Sequence, residues 1–486
     1  MVNLKAELKR IQAKYLPHAH WGIMLMAAFL RIWGIWYPPV LVFDETYYVK
    51  DAWTLTHLGY EAKWPDSPDK AFAAGHVNSY LTDGSFVVHP PLGKWLIGLG
   101  MNIFGGANSW GWRIVVALFG LALVWLVILV ARRLLGDRNW ANIAGLLIAI
   151  DGHAITMSRF ALLDGMLTTF IVLAFYLLLR DREDARVKYT LRLGQPKAPV
   201  IWNRPWLVAT AIVLGLATSV KWSGLYFAFA FGLYIVISET LLRRRYGFKD
   251  WFASGIAGQG VATLVLMVPA YALTYLASWS GWLATSGGYD RNSDTNPLIA
   301  LWNYHRDAYN FHVNLHAPHS YQSNPLSWLY LGRPVSFYYA SQTQAECGWP
   351  NGCSSAITAI GDPLIWWGAL AALLYLTFHY FRYRNRTEGL ILLGVAAGYL
   401  PWMLYTQRTV FSFYAIVILP FTVIALVYVL RSLWNRPRGT EFPWRFWVRA
   451  YLWAAGALAA FYLNLSWGFW TPYYYWMGHM WFPAWI

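Results

Sequence analysis

Two adjacent carboxylates, Asp44 and Glu45, stand in LVFDETYYVKDAW, directly after the apolar run WGIMLMAAFLRIWGIWYPPV. A carboxylate at the mouth of such a run is either a solvated helix end or a base at work where water is scarce. Other strings carry charge in equally apolar company: HPPLGKW with His89 and Lys94, SRFALLD with Arg159 and Asp164, SVKWSGL with Lys221, and YTQRTVFSFY with Arg408. Arg31 and Arg113 lie within apolar runs themselves. Each cation taken alone reads more readily as a snorkelling anchor than as a ligand. Taken with Asp44, Glu45, His89 and Asp164, they describe a polar cavity holding both signs of charge.

Such a cavity suits a polar headgroup on a lipid tail. A sugar joined to a lipid phosphate already has a good leaving group, so departure needs cations rather than a general acid. Arg supplies a fork of donors and Lys a point charge. The incoming nucleophile, a neutral hydroxyl, does need a base. One base, with no second carboxylate acting as nucleophile, predicts a single displacement that inverts the anomeric carbon.

The elements that must hold these residues follow from composition. The chain is 58% hydrophobic and 13% charged, against about 25% charged in soluble proteins. Its 31 Trp and 32 Tyr suit the water interfaces of many membrane spans. A span needs roughly 20 mainly apolar residues, which predicts about eleven, centred in 20–38, 112–131, 139–157, 164–180, 205–219, 223–242, 251–277, 362–381, 388–405, 410–431 and 446–465. The first follows Lys5, Lys9, Arg10 and Lys14 and runs on without a small-residue cleavage site, so it reads as an uncleaved span with a cytoplasmic N-terminus. The connections then placed inside hold most of the 38 Lys and Arg, which accounts for the +15 net charge without a nucleic-acid partner. The C-terminus falls outside.

Two outer connections are long, 39–111 and 280–361, and read as short helices and ordered loops on the membrane surface. No repeat or low-complexity tract is visible, so residues 1–486 read as one integral membrane domain. Cys347 and Cys353, in ECGWPNGC, are spaced for a local disulfide in an exported compartment. On this topology every charged motif above falls at the outer end of a span. No Asp/Glu/His cluster has metal-ligand spacing, which argues against an obligatory metal or other cofactor.

Arg31, Asp44-Glu45, His89-Pro90-Pro91-Leu92-Gly93-Lys94, Ser158-Arg159-Phe160 with Leu163-Asp164, Ser219-Val220-Lys221-Trp222, and Gln407-Arg408 before Leu419-Pro420-Phe421 resemble, in order, the protein O-mannosyltransferase family. The resemblance covers nearly the whole chain. It implies an all-α polytopic membrane protein of the C-type glycosyltransferase fold, located in the plasma membrane, that moves mannose from a polyprenyl-phosphate carrier to Ser or Thr hydroxyls of exported proteins. It gives Asp44 the role of catalytic base, with Glu45 orienting the acceptor or the base. It makes Arg31 and Arg113 structural or donor-site arginines, and His89, Lys94, Lys221 and Arg408 candidates for the phosphate or sugar. Arg159 and Asp164 either support that site or pair with each other. Expected partners are the lipid-phosphate mannose donor, membrane lipids, extended Ser/Thr-rich segments, and the secretion translocon that delivers them. The chain departs from eukaryotic members in having no room for their β-trefoil domain in 280–361 and looks like the short actinobacterial type. Two other readings stand beside this one: a sister lipid-linked transferase acting on a cell-wall glycan or lipid, and a transporter or flippase.

Overall fold

The structure is a computed structural model and describes residues 18–191, 197–437 and 442–486. The basic tail with Lys5, Lys9, Arg10 and Lys14, from which the N-terminal orientation was argued, lies outside the described residues.

Each apolar run contains helix, not always unbroken. The first, α1 (Ala19–Ile32), is followed by the first long connection with α2 (Glu45–Leu58) and α3 (Leu92–Phe104). Then come α4 (Ser109–Leu135), α5 (Arg138–Ile150), α6 (Leu163–Thr190), α7 (Pro205–Val220), α8 (Gly224–Arg245) and α9 (Val261–Ser278). The second long connection holds α10 (Pro297–Val313), and α11 (Pro363–Tyr383), α12 (Arg386–Tyr399), α13 (Leu419–Trp434) and α14 (Trp444–Tyr462) complete the bundle. Local chemistry sets the boundaries. Asn108, Asp137 and Asp362 cap α4, α5 and α11 through their side chains, and proline opens α7, α10 and α11, where a missing N–H costs nothing.

The span reading is coarser in the structure than in the sequence. Six helices among the described residues are long and apolar enough to cross a membrane: Ser109–Leu135, Leu163–Thr190, Gly224–Arg245, Trp251–Ser278, Pro363–Tyr383 and Arg386–Leu404. α1, α3, α7 and α13 are apolar but shorter. The run 139–157 is not one helix, because Asp151 is extended, caps a separate turn at Gly152–Thr156 and accepts from Asp362 N and Trp366 Nε1.

The all-α expectation also needs correction. A three-stranded antiparallel sheet, β1 (Val335–Gln342), β2 (Cys353–Ala359) and β3 (Thr471–Pro472), is built from the second long connection and the C-terminal segment. The expected disulfide, Cys347–Cys353, closes the turn from β1 into β2 with Cα atoms 6.4 Å apart. The pairing of β1 with β2 slips between Ser336 and Tyr338, leaving Phe337 as a bulge residue.

A large core runs through the helices, and a separate aromatic cluster of Tyr60, Trp279, Trp282 and Tyr304 binds the two long connections together. At the far end of α6 from Asp164, Asp181 pairs with Arg204 and Arg182 with Glu239, while Arg243 donates to Tyr189 and Gln259. Arg182, Arg204 and Arg243 are thus buried ties between helices and the segments that join them.

Candidate active site

Asp44 occupies the N-cap position of α2, a place where Asp usually accepts a backbone N–H. Its carboxylate does not cap. The Tyr48 hydroxyl, one turn on, faces it at 3.5 Å. Before it, Phe43 sits in the left-handed region at φ 51°, which costs a bulky residue roughly 1–2 kcal/mol. Aromatic contacts offset this: Phe43 stacks on Phe337 at 4.7 Å and meets Phe413 edge-on at 5.7 Å. The bulge residue of β1 thus packs on the ring that immediately precedes Asp44. Burial pushes the Asp44 carboxyl up to about 6; Lys221 opposes the shift and Asp164 adds to it.

Glu45 points elsewhere. Its Oε1 accepts from Arg113 Nε at 2.8 Å and Ala161 N at 2.8 Å, and its Oε2 from Arg113 Nη2 at 2.7 Å and Val42 N at 2.9 Å. The remaining Arg113 donors go to the carbonyls of Ile35, Pro38 and Val40. Arg31 donates to the carbonyls of Ala149 and Ile148, and Arg159 to those of Leu30, Arg31 and Trp33. Lys94 pairs with Glu61 and donates to His89 O, and the absent side chain of Gly93 lets α3 close against Leu163. Arg31, Lys94, Arg113 and Arg159 are all sealed in the protein and hold backbone segments together. Of the two roles the sequence left for Arg31 and Arg113, structural or donor-site, this placement fits the structural one, and Lys94 is engaged in the same way; a cation so sealed reaches a phosphate only by leaving these partners. Nor do Arg159 and Asp164 pair with each other, since Asp164 takes Lys221 instead.

The cations that remain meet at a cavity of about 180 Å³ lined by Lys221, Arg408, His89, His312, Trp402 and Tyr414, among others. Lys221 Nζ lies 2.9 and 3.0 Å from the two Asp164 oxygens and 4.3 Å from the centre of the Tyr414 ring. Arg408 stands over Trp402 and donates through Nη2 to His312 Nδ1 at 3.0 Å; its buried Nε has no protein acceptor. His89 stacks on His312 at 5.5 Å, and burial holds it well below the ordinary imidazole value. Asp44 is close enough for both Lys221 and Asp164 to act on its charge. The site thus sets a carboxyl of raised pKa near Lys221, which shares an aromatic-walled cavity with Arg408. Among the described residues, no group of three or more His, Cys, Asp or Glu is placed to hold a metal.

Tyr48, His312, Trp402 and Tyr414 were not singled out from sequence. Tyr48 was within reach, since four residues from Asp44 on a helix is one turn. The others carry no local signal.

A family model, dolichyl-phosphate-mannose-protein mannosyltransferase, matches residues 21–283. The polyprenol-phosphate-mannose–protein mannosyltransferase of Corynebacterium glutamicum is 33% identical, over 91% of this chain and 88% of its own. The enzyme of the same name from Mycobacterium tuberculosis is 32% identical, over 82% of this chain and 77% of its own. In overall fold the chain is similar to the S. cerevisiae protein O-mannosyltransferase Pmt1-Pmt2 complex bound to the sugar donor, at a TM-score of 0.72 and 15% identity, covering 100% of this chain and 93% of that one. The matched segment contains Arg31, Asp44, Glu45, His89, Lys94, Arg113, Asp164 and Lys221, and the actinobacterial similarity extends it over most of the remainder. The chain belongs to the dolichyl-phosphate-mannose–protein mannosyltransferase family and is a mannosyltransferase.

Proposed function

We propose that the chain transfers mannose from a polyprenyl-phosphate-mannose donor to Ser or Thr hydroxyls of exported proteins at the extracytoplasmic membrane face, with inversion. Asp44 takes the proton of the acceptor hydroxyl as its oxygen bonds to the anomeric carbon. The bond from that carbon to the phosphate oxygen breaks, and its electron pair stays on the phosphate, held by Lys221 and Arg408. The proton on Asp44 leaves to solvent. The cations neutralise the departing phosphate, so no metal is assigned to the step.

The observation that carries this reading is that Asp44, whose carboxylate does not cap its helix, lies within electrostatic reach of Lys221, which lines one aromatic cavity together with Arg408. The protein-directed branch is preferred over a glycan- or lipid-directed sister because the actinobacterial relatives of that name align over 82% and 91% of the chain. Acceptors are extended segments, since a folded domain cannot bring a hydroxyl to a base that lies between the first long connection and the helix ends. The test is transfer from purified lipid-phosphate mannose to one Thr-, Ser-, Ala- and Pro-rich sequence, offered as a free peptide and locked inside a stable domain. Inverted linkage on the free peptide, with suppressed transfer to the locked site, is expected. Retained anomeric configuration would remove the single-displacement mechanism, and equal rates would remove the need for extension.

A further inference from the structure

We propose that His312 is a positioning residue that holds the Arg408 guanidinium in place for the donor phosphate. This rests on the reading of Arg408 as a phosphate ligand. His312 lies on the last turn of α10, in the second long connection, and Arg408 lies 96 residues further along the chain. Nothing in the sequence links them.

The hydrogen bonds determine the state of the ring. Arg408 Nη2 lies 3.0 Å from His312 Nδ1, and a guanidinium has donors only, so Nδ1 is the bare, accepting nitrogen. The proton therefore sits on Nε2, which donates to the Val88 carbonyl at 3.0 Å. Both ends of the imidazole are thus used, and the ring cannot flip without losing both. Burial, followed by the charge of Arg408, holds His312 down to about 4, with Lys221 acting in the same direction. The rings of His89 and Trp222 enclose it at 5.5 and 5.7 Å. The imidazole thus stays neutral and accepting across the physiological range.

The same residue also ties the two long connections together over the cavity. One helical face of α10 carries Tyr304, which donates to Val87 O and accepts from Val87 N, and His312, which reaches Val88 O just before His89. With Nη2 engaged, the buried Arg408 Nε has no protein acceptor and is free to donate to an anionic oxygen. A neutral acceptor that fixes one arm of the fork lowers the ordering cost of binding that oxygen and leaves the full positive charge available to it.

The experiment measures donor and acceptor KM and kcat with purified protein, lipid-phosphate mannose and a Thr-rich peptide, for Arg408→Ala, His312→Phe, His312→Gln and the double variant Arg408→Ala/His312→Phe. His312→Phe keeps a ring but removes the acceptor; it is expected to raise the donor KM about tenfold, with acceptor KM unchanged, the size of one charge-assisted contact. His312→Gln, whose carbonyl can still accept, recovers most of the loss. The double variant is no worse than Arg408→Ala alone. If Arg408→Ala raises donor KM while His312→Phe does not, or if Gln and Phe lose equally, the positioning role is overturned. If Arg408→Ala itself leaves donor KM unchanged, the phosphate assignment of Arg408 is what fails.

Discussion

Glu45 and Arg113 form a two-point ion pair, Nε to Oε1 at 2.8 Å and Nη2 to Oε2 at 2.7 Å, with both side chains fully buried. It joins the start of α2 to the first turns of α4, while Asp44, one residue earlier, keeps its carboxylate free of the backbone. The acid pair is therefore one staple and one carboxylate left free for the role proposed for it, and the two can be separated by experiment.

Replacing Asp44 with Asn keeps its shape and removes its basicity. Transfer should fall about 100- to 10,000-fold, the usual loss for a general base. The unfolding midpoint and donor binding should stay near wild type, as read by thermal unfolding in detergent and by retention of labelled lipid-phosphate mannose.

Glu45→Ala behaves differently, because it leaves Arg113 as an uncompensated buried charge. The expected cost is about 3–5 kcal/mol of stability, seen as a lower unfolding midpoint and poor yield of monodisperse protein. A stable, inactive Glu45→Ala would move Glu45 back to the acceptor.

The acid limb of the pH profile should report Asp44. Burial raises its carboxyl to about 6, so the carboxyl is protonated, and useless as a base, below that pH and ionised above it. kcat/KM should fall about tenfold per unit below pH 6 and level off above it. A profile flat down to pH 4 would show that the group titrates lower or is not the base.

Phe337→Ala removes the ring stacked on Phe43 and so the clamp on a left-handed turn. A reduction in kcat larger than any change in donor KM is the expected result, because Asp44 would be presented less precisely while Lys221 and Arg408 are untouched. Kinetics with limiting donor decide it.

Cys347→Ser with Cys353→Ser opens only a short turn, so little unfolded-chain entropy returns. The loss should be at or below the usual ~2–4 kcal/mol and confined to the β1–β2 hairpin, with transfer kept in large part. Hydrogen exchange of the hairpin amides would show it. Global unfolding at the same midpoint shift as Glu45→Ala would contradict a local role.

The membrane character, the helices along each apolar run, the local disulfide and the family were legible in the sequence, because each rests on residues close together or on motifs in fixed order. The sheet was partly legible: VSFYYASQ and CSSAITA are rich in aromatic, Ser and Thr residues, but their pairing depends on a turn and on a third strand more than a hundred residues later. The break at Asp151 was hidden inside an apolar run, since its cause is a bond to Asp362 N, far along the chain.

For the site, the sequence determined which charges the chain places in apolar surroundings, and it singled out Asp44. Tertiary structure decided how those charges divide. Charges buried among carbonyls and carboxylates become staples, as with Arg31, Arg113, Arg159 and Lys94. Arg408 and Lys221, the latter also paired with Asp164, line the cavity as well, and these two are the ones proposed as ligands. Which fate a cation meets depends on the partners folding brings to it, and the Arg408–His312 contact spans 96 residues. A hydrogen bond between residues so far apart leaves no periodicity in either segment, so only the packed chain reveals it.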